Sequence, residues 1–190
     1  MYLFFDTETT GLPKRYDASV KDVDNWPRVI QLAWACYDSN RSLLSDRVDL
    51  IKPDGWTIPK EKFWIENGFN QEESTSKGIP IKDALFPFIN KLESSEYLVA
   101  HNMSYDHPVL GAEFVRLNLR AQNKTIKICT KEESTDYCEL PGKYGYKWPT
   151  LSELHIKLFG TDFEGGHDAL IDVRACARCY FELVDRGVIA

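Results

Sequence analysis

The sequence predicts a single α/β domain, and three observations carry that prediction. Apolar and β-branched runs at residues 2–5, 29–37 and 47–51 come early and are joined by short links, the pattern of an antiparallel meander. From residue 59 onward the apolar spacing turns helical, and an isolated buried run interrupts it at 97–100. No repeat, low-complexity tract or linker breaks the 190 residues, so 1–190 reads as one domain long enough for a sizeable core.

The first strand opens with Tyr2-Leu-Phe-Phe5 and runs on into Asp6-Thr-Glu-Thr-Thr-Gly11. Residues 13–28, with Pro13, several charges and Trp26-Pro27, read as a loop or short insertion. The second strand, 29–37, is rich in aromatic and branched side chains, and the third, 47–51, closes before the turn signal Lys52-Pro-Asp-Gly55. Residues 58–64 and 79–92 alternate in helical fashion around a polar stretch at 70–77. Ile81, Leu85, Phe88 and Leu92 are spaced four, three and four apart, which puts them on one helix face. The 97–100 strand leads directly into His101-Asn-Met-Ser-Tyr-Asp106 and a helix to about residue 119, with Pro108 in its first turn, where amides lack partners. A strand at 125–129 and a glycine-containing loop at 139–146 follow. Two helices, 151–158 and 169–187, joined by residues 160–166, end the chain.

Composition narrows the function. The net charge, 23 − 29 = −6, gives no general attraction for polyanions and disfavours a protein that coats nucleic acid. A nucleic-acid substrate would be held locally, by metal ions and a few basic side chains. No apolar stretch approaches the ~18 residues needed to span a bilayer, so no membrane partner is expected. The first apolar run is broken by Asp6 and Glu8, unlike a secretory signal. Five scattered cysteines suit a reducing, cytoplasmic location better than a disulfide framework. Cys176-Ala-Arg-Cys179 has the spacing of a redox or zinc pair, yet it lies within a helical apolar pattern and has no second pair. It reads as inert core. Trp26, Trp56 and Trp64 are read as core in preference to base-stacking surfaces, and Trp148, in Lys147-Trp-Pro-Thr150, reads least as core.

Acids stand out in three places. A strand has a side-chain period of two, so Asp6 and Glu8 point one way while Phe5 and Thr7 point the other. Two acids side by side in an apolar strand are costly without a positive charge between them, and a divalent cation supplies it. Asp106 lies four residues before Leu110 on the stripe Leu110, Phe114 and Leu117; it either faces the sheet or serves the helix dipole. In Gly165-Gly-His-Asp-Ala-Leu-Ile-Asp172, the stripe Leu170, Val173, Ala177, Tyr180 and Val184 starts a helix near Asp168, with Asp172 in its first turns. His167, roughly 140° from Asp172 on an ideal helix, fits better on the glycine-freed loop before it. There it is either a general base of near-neutral pKa or an exposed loop histidine.

In order, Asp6-x-Glu8-x-Thr10-Gly11, His101-Asn-x-x-Tyr-Asp106 and His167-x-Ala-x-x-Asp172 resemble the three motifs of the DEDD exonucleases, the DnaQ-like proofreading superfamily. The histidine five residues before the last aspartate resembles the DEDDh branch; the sister branch carries a tyrosine where this chain has Asp168. The resemblance spans about residues 2–184 and implies an RNase H-like α/β fold: a mixed sheet, antiparallel meander plus parallel strands, flanked by helices. It implies a 3′–5′ exonuclease in which Asp6, Glu8, Asp106 and Asp172 hold two divalent cations and His167 takes the proton of the attacking water. An all-oxygen donor set suits Mg²⁺ or Mn²⁺ and not zinc or copper.

By the same resemblance Glu8 also contacts the terminal 3′ hydroxyl, and Thr9, Thr10, Gly11 and Leu12 line the nucleotide pocket. Leu12 either packs on the last base or is a surface leucine, Asn102 is a substrate contact or a turn residue, and His101 is structural. Tyr105 stands where the motif usually has phenylalanine. The first motif, Asp-Thr-Glu-Thr-Thr-Gly, is closer to the DNA exonucleases than to the oligoribonucleases, so the expected partner is the 3′ end of single-stranded DNA. Trimming of RNA by the same fold is the alternative. A non-catalytic binding module would be betrayed by a missing acid, and none is missing. No polymerase-binding tail follows Ala190, so no stable polymerase complex is expected; a homodimer is compatible with the resemblance.

Overall fold

A computed structural model of the chain describes residues 1–121, 124–165 and 168–190. Five strands, β1 (Tyr2–Thr9), β2 (Val29–Tyr37), β3 (Leu43–Leu50), β4 (Tyr97–Ala100) and β5 (Ile126–Cys129), form one sheet in the order β3-β2-β1-β4-β5. β1, β2 and β3 pair antiparallel, as the meander predicts, while β1–β4 and β4–β5 pair parallel. This is the mixed α/β sheet that the resemblance implies.

Helices cover both faces because the strands alternate. Leu3 and Phe5 of β1 enter a core with α3 (Ile81–Glu93) and α4 (Met103–Arg116), whereas Phe4 enters a second core with α7 (Leu151–Phe159) and α8 (Ala169–Asp185). All five cysteines are buried and unpaired, Cys176 and Cys179 within the α8 core, in line with the inert reading. Among the described residues no helix is long and apolar enough to cross a membrane.

Several boundaries differ from expectation, each for a local reason. β3 starts four residues early. The Asp38 carboxylate accepts the Asn40 and Ser42 amides at 2.9 and 2.8 Å, and Arg41 takes φ 64°, so a tight turn delivers the chain straight into pairing. Leu43, Leu44 and Val48 are exposed on this edge strand, which blurs its apolar pattern. The polar stretch at 70–77 is itself helical. It follows α1 (Lys62–Glu66) and contains α2 (Gln71–Lys77), capped by Asn70 accepting the Glu73 amide at 2.8 Å and supported by a Lys77–Glu73 pair. α4 begins at Met103, so Pro108 lies in its second turn, and the helix stops at Arg116, short of residue 119. Residues 130–138 hold two short helices, α5 (Thr130–Glu133) and α6 (Thr135–Cys138), and the 139–146 loop carries a small hairpin of β6 (Pro141–Gly142) and β7 (Gly145–Tyr146).

Residues 13–28 are the predicted loop, pinned to α4. Arg116 donates to the carbonyls of Trp26 (2.7 Å) and Val23, and Glu113, 1% exposed, accepts from Arg28 at 2.8 Å and Arg116 at 3.0 Å.

Candidate active site

β4 pairs with β1 only as far as Phe4↔Val99, while β1 continues to Thr9. After Ala100 the chain turns away into α4, which opens a crevice at the carboxyl ends of two parallel strands, where open α/β sheets usually bind ligands. Asp6 and Glu8 extend the Phe4 face of β1, the one α8 covers. Opposite Glu8 on β2 stands Gln31, whose side-chain oxygen accepts the Ala169 amide at 3.3 Å and so docks the start of α8 here. Asp168 caps that helix through the Leu170 and Ile171 amides at 3.0 and 3.4 Å, a turn before Asp172. As a result Asp6, Glu8 and Asp172 each present a carboxylate oxygen within 4.8 Å of the other two.

Asp106 approaches from the opposite layer. It is buried in the first turn of α4, and its Oδ1 accepts the Thr7 amide at 3.2 Å and the Thr7 hydroxyl at 2.6 Å. It thus faces the sheet, one of the two expected orientations. It is not part of the 4.8 Å triangle, but it is close enough for its charge to act on Asp6 and Glu8. His167 and Gly166 lie outside the described residues.

Burial and mutual repulsion act on the acids together. Burial, then repulsion from Asp106, Glu8 and Asp172, raises the Asp6 pKa well above the usual carboxylate range. Glu8 is pushed up to about 7 by burial, then by Asp172 and Asp106. Burial also lifts Asp106 to about 7 against the opposing pull of its Thr7 hydrogen bonds. Three convergent carboxylate oxygens, with burial and mutual repulsion raising Asp6 and Glu8, fit a hard divalent cation.

Beside the acids is a cleft of about 340 Å³. One wall is the turn after β1: Thr9, Gly11 at φ 146°, which favours glycine, and Leu12, which is 75% exposed. The Thr9 hydroxyl lies 3.0 Å from the Gly11 carbonyl and bonds the Tyr105 hydroxyl, which itself lies 2.7 Å from that carbonyl. Thr10 exchanges two hydrogen bonds with Arg28, its amide donating at 2.9 Å and its hydroxyl accepting at 3.0 Å, and so ties the turn to the 13–28 loop. The other wall is Phe63 and Trp64 of α1, and the Trp64 indole donates to the Thr9 carbonyl at 2.9 Å. Trp64 therefore lines the cleft with one part and packs with another on the Ile30, Ile58 and Phe69 cluster, where Trp56 packs too, while Trp26 is buried.

Asn102 lines the cleft too, with its side-chain oxygen accepting from the Lys131 ammonium. His101 is structural, as expected. Its ring nitrogens bond the Thr130 hydroxyl at 3.0 Å and the Pro149 carbonyl at 3.1 Å, and burial pushes its pKa down to about 4. Phe63, Tyr16 and Tyr105 also reach the cleft, and their residue types alone gave no sign of it. A larger cavity of about 470 Å³ lies between α3 and α4, but none of the four acids lines it.

No family model and no curated protein matches the chain. Solved structures do. Exonuclease I of E. coli in complex with a dT13 oligonucleotide superposes with a TM-score of 0.71 at 21% identity, over 97% of this chain and 40% of that one. Exonuclease X in complex with 5′ overhanging duplex DNA gives 0.67 at 19%, over 100% and 95%. The nuclease domain of 3′hExo, a DEDDh family member, bound to rAMP, gives 0.72 at 16%, over 98% and 92%. The fold is that of these exonucleases. The chain spans about two-fifths of the length of exonuclease I and nearly all of the other two.

Proposed function

We propose that the chain is a 3′–5′ exonuclease that removes nucleoside 5′-monophosphates one at a time from the 3′ end of single-stranded DNA. The observation that carries this reading is the Asp6, Glu8 and Asp172 triangle, whose Glu8 also lines the cleft of about 340 Å³. The exonuclease fold supports it, as do the oligonucleotides and the nucleotide named with its structural neighbours.

Asp6, Glu8 and Asp172, with Asp106 through the oxygen not bonded to Thr7, would hold two Mg²⁺ or Mn²⁺ ions. Bound there, such ions activate water and stabilise the leaving 3′ oxygen. The chain's own residues do the rest. The Thr9–Leu12 turn and the Phe63–Trp64 pair enclose the terminal nucleotide, and Glu8 accepts a hydrogen bond from its 3′ hydroxyl. Asn102 contacts the strand, and Leu12 packs on the last base. His167 takes the proton of the attacking water. Five unpaired thiols suit a cytoplasmic enzyme.

A time course on 5′-labelled single-stranded DNA and matching RNA, in Mg²⁺, Mn²⁺ or EDTA, tests the proposal. The expected result is a DNA ladder shortened from the 3′ end and abolished by EDTA. Trimming of RNA is the second reading, favoured by the rAMP bound to one neighbour, and a large excess of RNA turnover would select it. Inertness of both strands in every metal would overturn the proposal.

A further inference from the structure

Beyond the cleft the chain displays aromatic rings to water. Trp148 is 60% exposed, Tyr144 91% and Tyr146 52%. They lie on and just after the β6–β7 hairpin, interleaved with lysines in Lys143-Tyr-Gly-Tyr-Lys-Trp148. Lys143 sits over the Tyr144 ring at 5.0 Å, and Lys131 sits over the Trp148 ring at 4.4 Å. The same Lys131 ammonium donates to Asn102, which lines the cleft alongside Glu8. One lysine side chain therefore joins the Trp148 ring to the candidate active site.

The segment is held in place from both ends. The Lys147 amide donates to the Leu140 carbonyl at 2.9 Å, the Pro149 carbonyl accepts from His101, and Thr150 opens α7 with a capping box. Charge on the hairpin is mixed. Lys147 pairs with Glu153 at 2.5 Å and Tyr146 donates to Glu139 at 3.3 Å, so Lys131 and Lys143, each stacked on a ring, are the cations that face the aromatic row.

We propose that this surface binds the single-stranded DNA upstream of the 3′ terminus, with bases stacking on Trp148 and Tyr144 and phosphates meeting Lys131 and Lys143. Rings alternating with cations are what a single strand requires: each base offers a flat face and each linkage a negative charge. The overall charge of −6 makes such a local track necessary, because the protein as a whole repels the polyanion. The inference rests on the nucleic-acid reading above and extends it to strand length.

The test is fluorescence anisotropy of 5′-labelled dT3 and dT12 in EDTA, where nothing is cut, followed by steady-state kinetics on both in Mg²⁺. Wild-type protein is expected to bind dT12 more tightly than dT3. Trp148→Ala should cut dT12 affinity about tenfold or more, the scale of one stacked base, and collapse the dT12-to-dT3 ratio. In kinetics the KM for dT12 should rise while kcat holds. Trp148→Phe should restore most of the ratio. Tyr144→Ala, at the exposed hairpin tip, provides a second variant should Trp148→Ala fold poorly. A wild type without length preference, or variants that keep the full ratio, would overturn the surface even if DNA is hydrolysed. A length preference that depends on Trp148 with RNA and not with DNA would overturn the assignment to DNA. Trp148-dependent binding without hydrolysis would sustain the surface and overturn the exonuclease reading instead.

Discussion

Asp106 and Thr7 join the two layers of the site: one carboxylate oxygen accepts both the amide and the hydroxyl of Thr7, at 3.2 and 2.6 Å. Thr7 points to the α4 side of β1, and its neighbours Asp6 and Glu8 point to the α8 side. A single strand thus presents two acids to one layer and anchors a third acid from the other. Burial drives the Asp106 pKa upward and the Thr7 donors resist that drift, so the threonine helps keep the acid ionisable.

Thr7→Val preserves shape but leaves a 2%-exposed carboxylate short of its hydroxyl donor. The expected loss of stability is about 1–3 kcal/mol, measured by urea unfolding at neutral pH in EDTA. Thr7→Ser should recover most of it. Equal stability of all three proteins would mean that the hydroxyl contributes nothing.

The acid cluster sets a pH dependence with a definite sign. Glu8 ionises near 4.5 in the unfolded chain and at about 7 in the folded one. Between those values the folded state holds a proton that the unfolded state has released, so this contribution to stability is complete below about 4.5 and is lost as pH rises through about 7. Asp6 shifts in the same direction. In EDTA the Tm should therefore carry a falling component between pH 5 and 7.5, reduced in Glu8→Gln. Added Mg²⁺ should raise the Tm, and the gain should grow with pH because the cation competes with those protons. A Mg²⁺ gain independent of pH would count against these acids as the cation site.

Asp6→Ala and Asp172→Ala each remove one corner of the carboxylate triangle and are expected to abolish turnover while leaving the fold intact, checked by circular dichroism. The Tm in EDTA should hold or rise, because each change relieves like-charge repulsion at Glu8 or Asp6. His167→Ala should lower the rate by roughly 10²–10⁴, the usual general-base contribution. Full activity of Asp6→Ala would refute the assignment of the site.

What could be read from the residues was whatever burial writes into periodicity. β2 keeps its expected bounds because Ile30, Leu32, Ala33, Trp34, Ala35 and Cys36 are all buried, and α3 and α8 carry clear apolar stripes. α2 left no such trace: it buries only Ser74, and an Asn70 cap and a Glu73–Lys77 pair support it locally. α5 and α6 are single turns in a polar stretch. At the site, period-two alternation placed Asp6 and Glu8 on one face, whereas the helix stripe left Asp106 two orientations, between which the Thr7 hydrogen bonds decide. The aromatic wall was not legible. That Trp64 lines the cleft as well as packing on the core follows from how a five-residue helix docks on the β1 turn, which is a tertiary matter. Tyr105 passes for a neutral replacement of phenylalanine until its hydroxyl is seen on Thr9 and Gly11.

Glu113 supports the cleft from a distance. Its carboxylate, 1% exposed, accepts from Arg28 at 2.8 Å and Arg116 at 3.0 Å, and Arg28 exchanges backbone and hydroxyl bonds with Thr10, between the cleft-lining Thr9 and Gly11. Glu113→Gln would leave two guanidinium groups facing each other without their shared anion. Breaking a buried ion pair in this way costs about 3–5 kcal/mol, and urea unfolding should register a loss of that order. Because Arg28 connects this cluster to Thr10, the variant should also raise KM for single-stranded DNA more than it lowers kcat. An unfolding free energy within ~0.5 kcal/mol of wild type, the scatter of ordinary surface substitutions, would show that the cluster does not hold the 13–28 loop against α4.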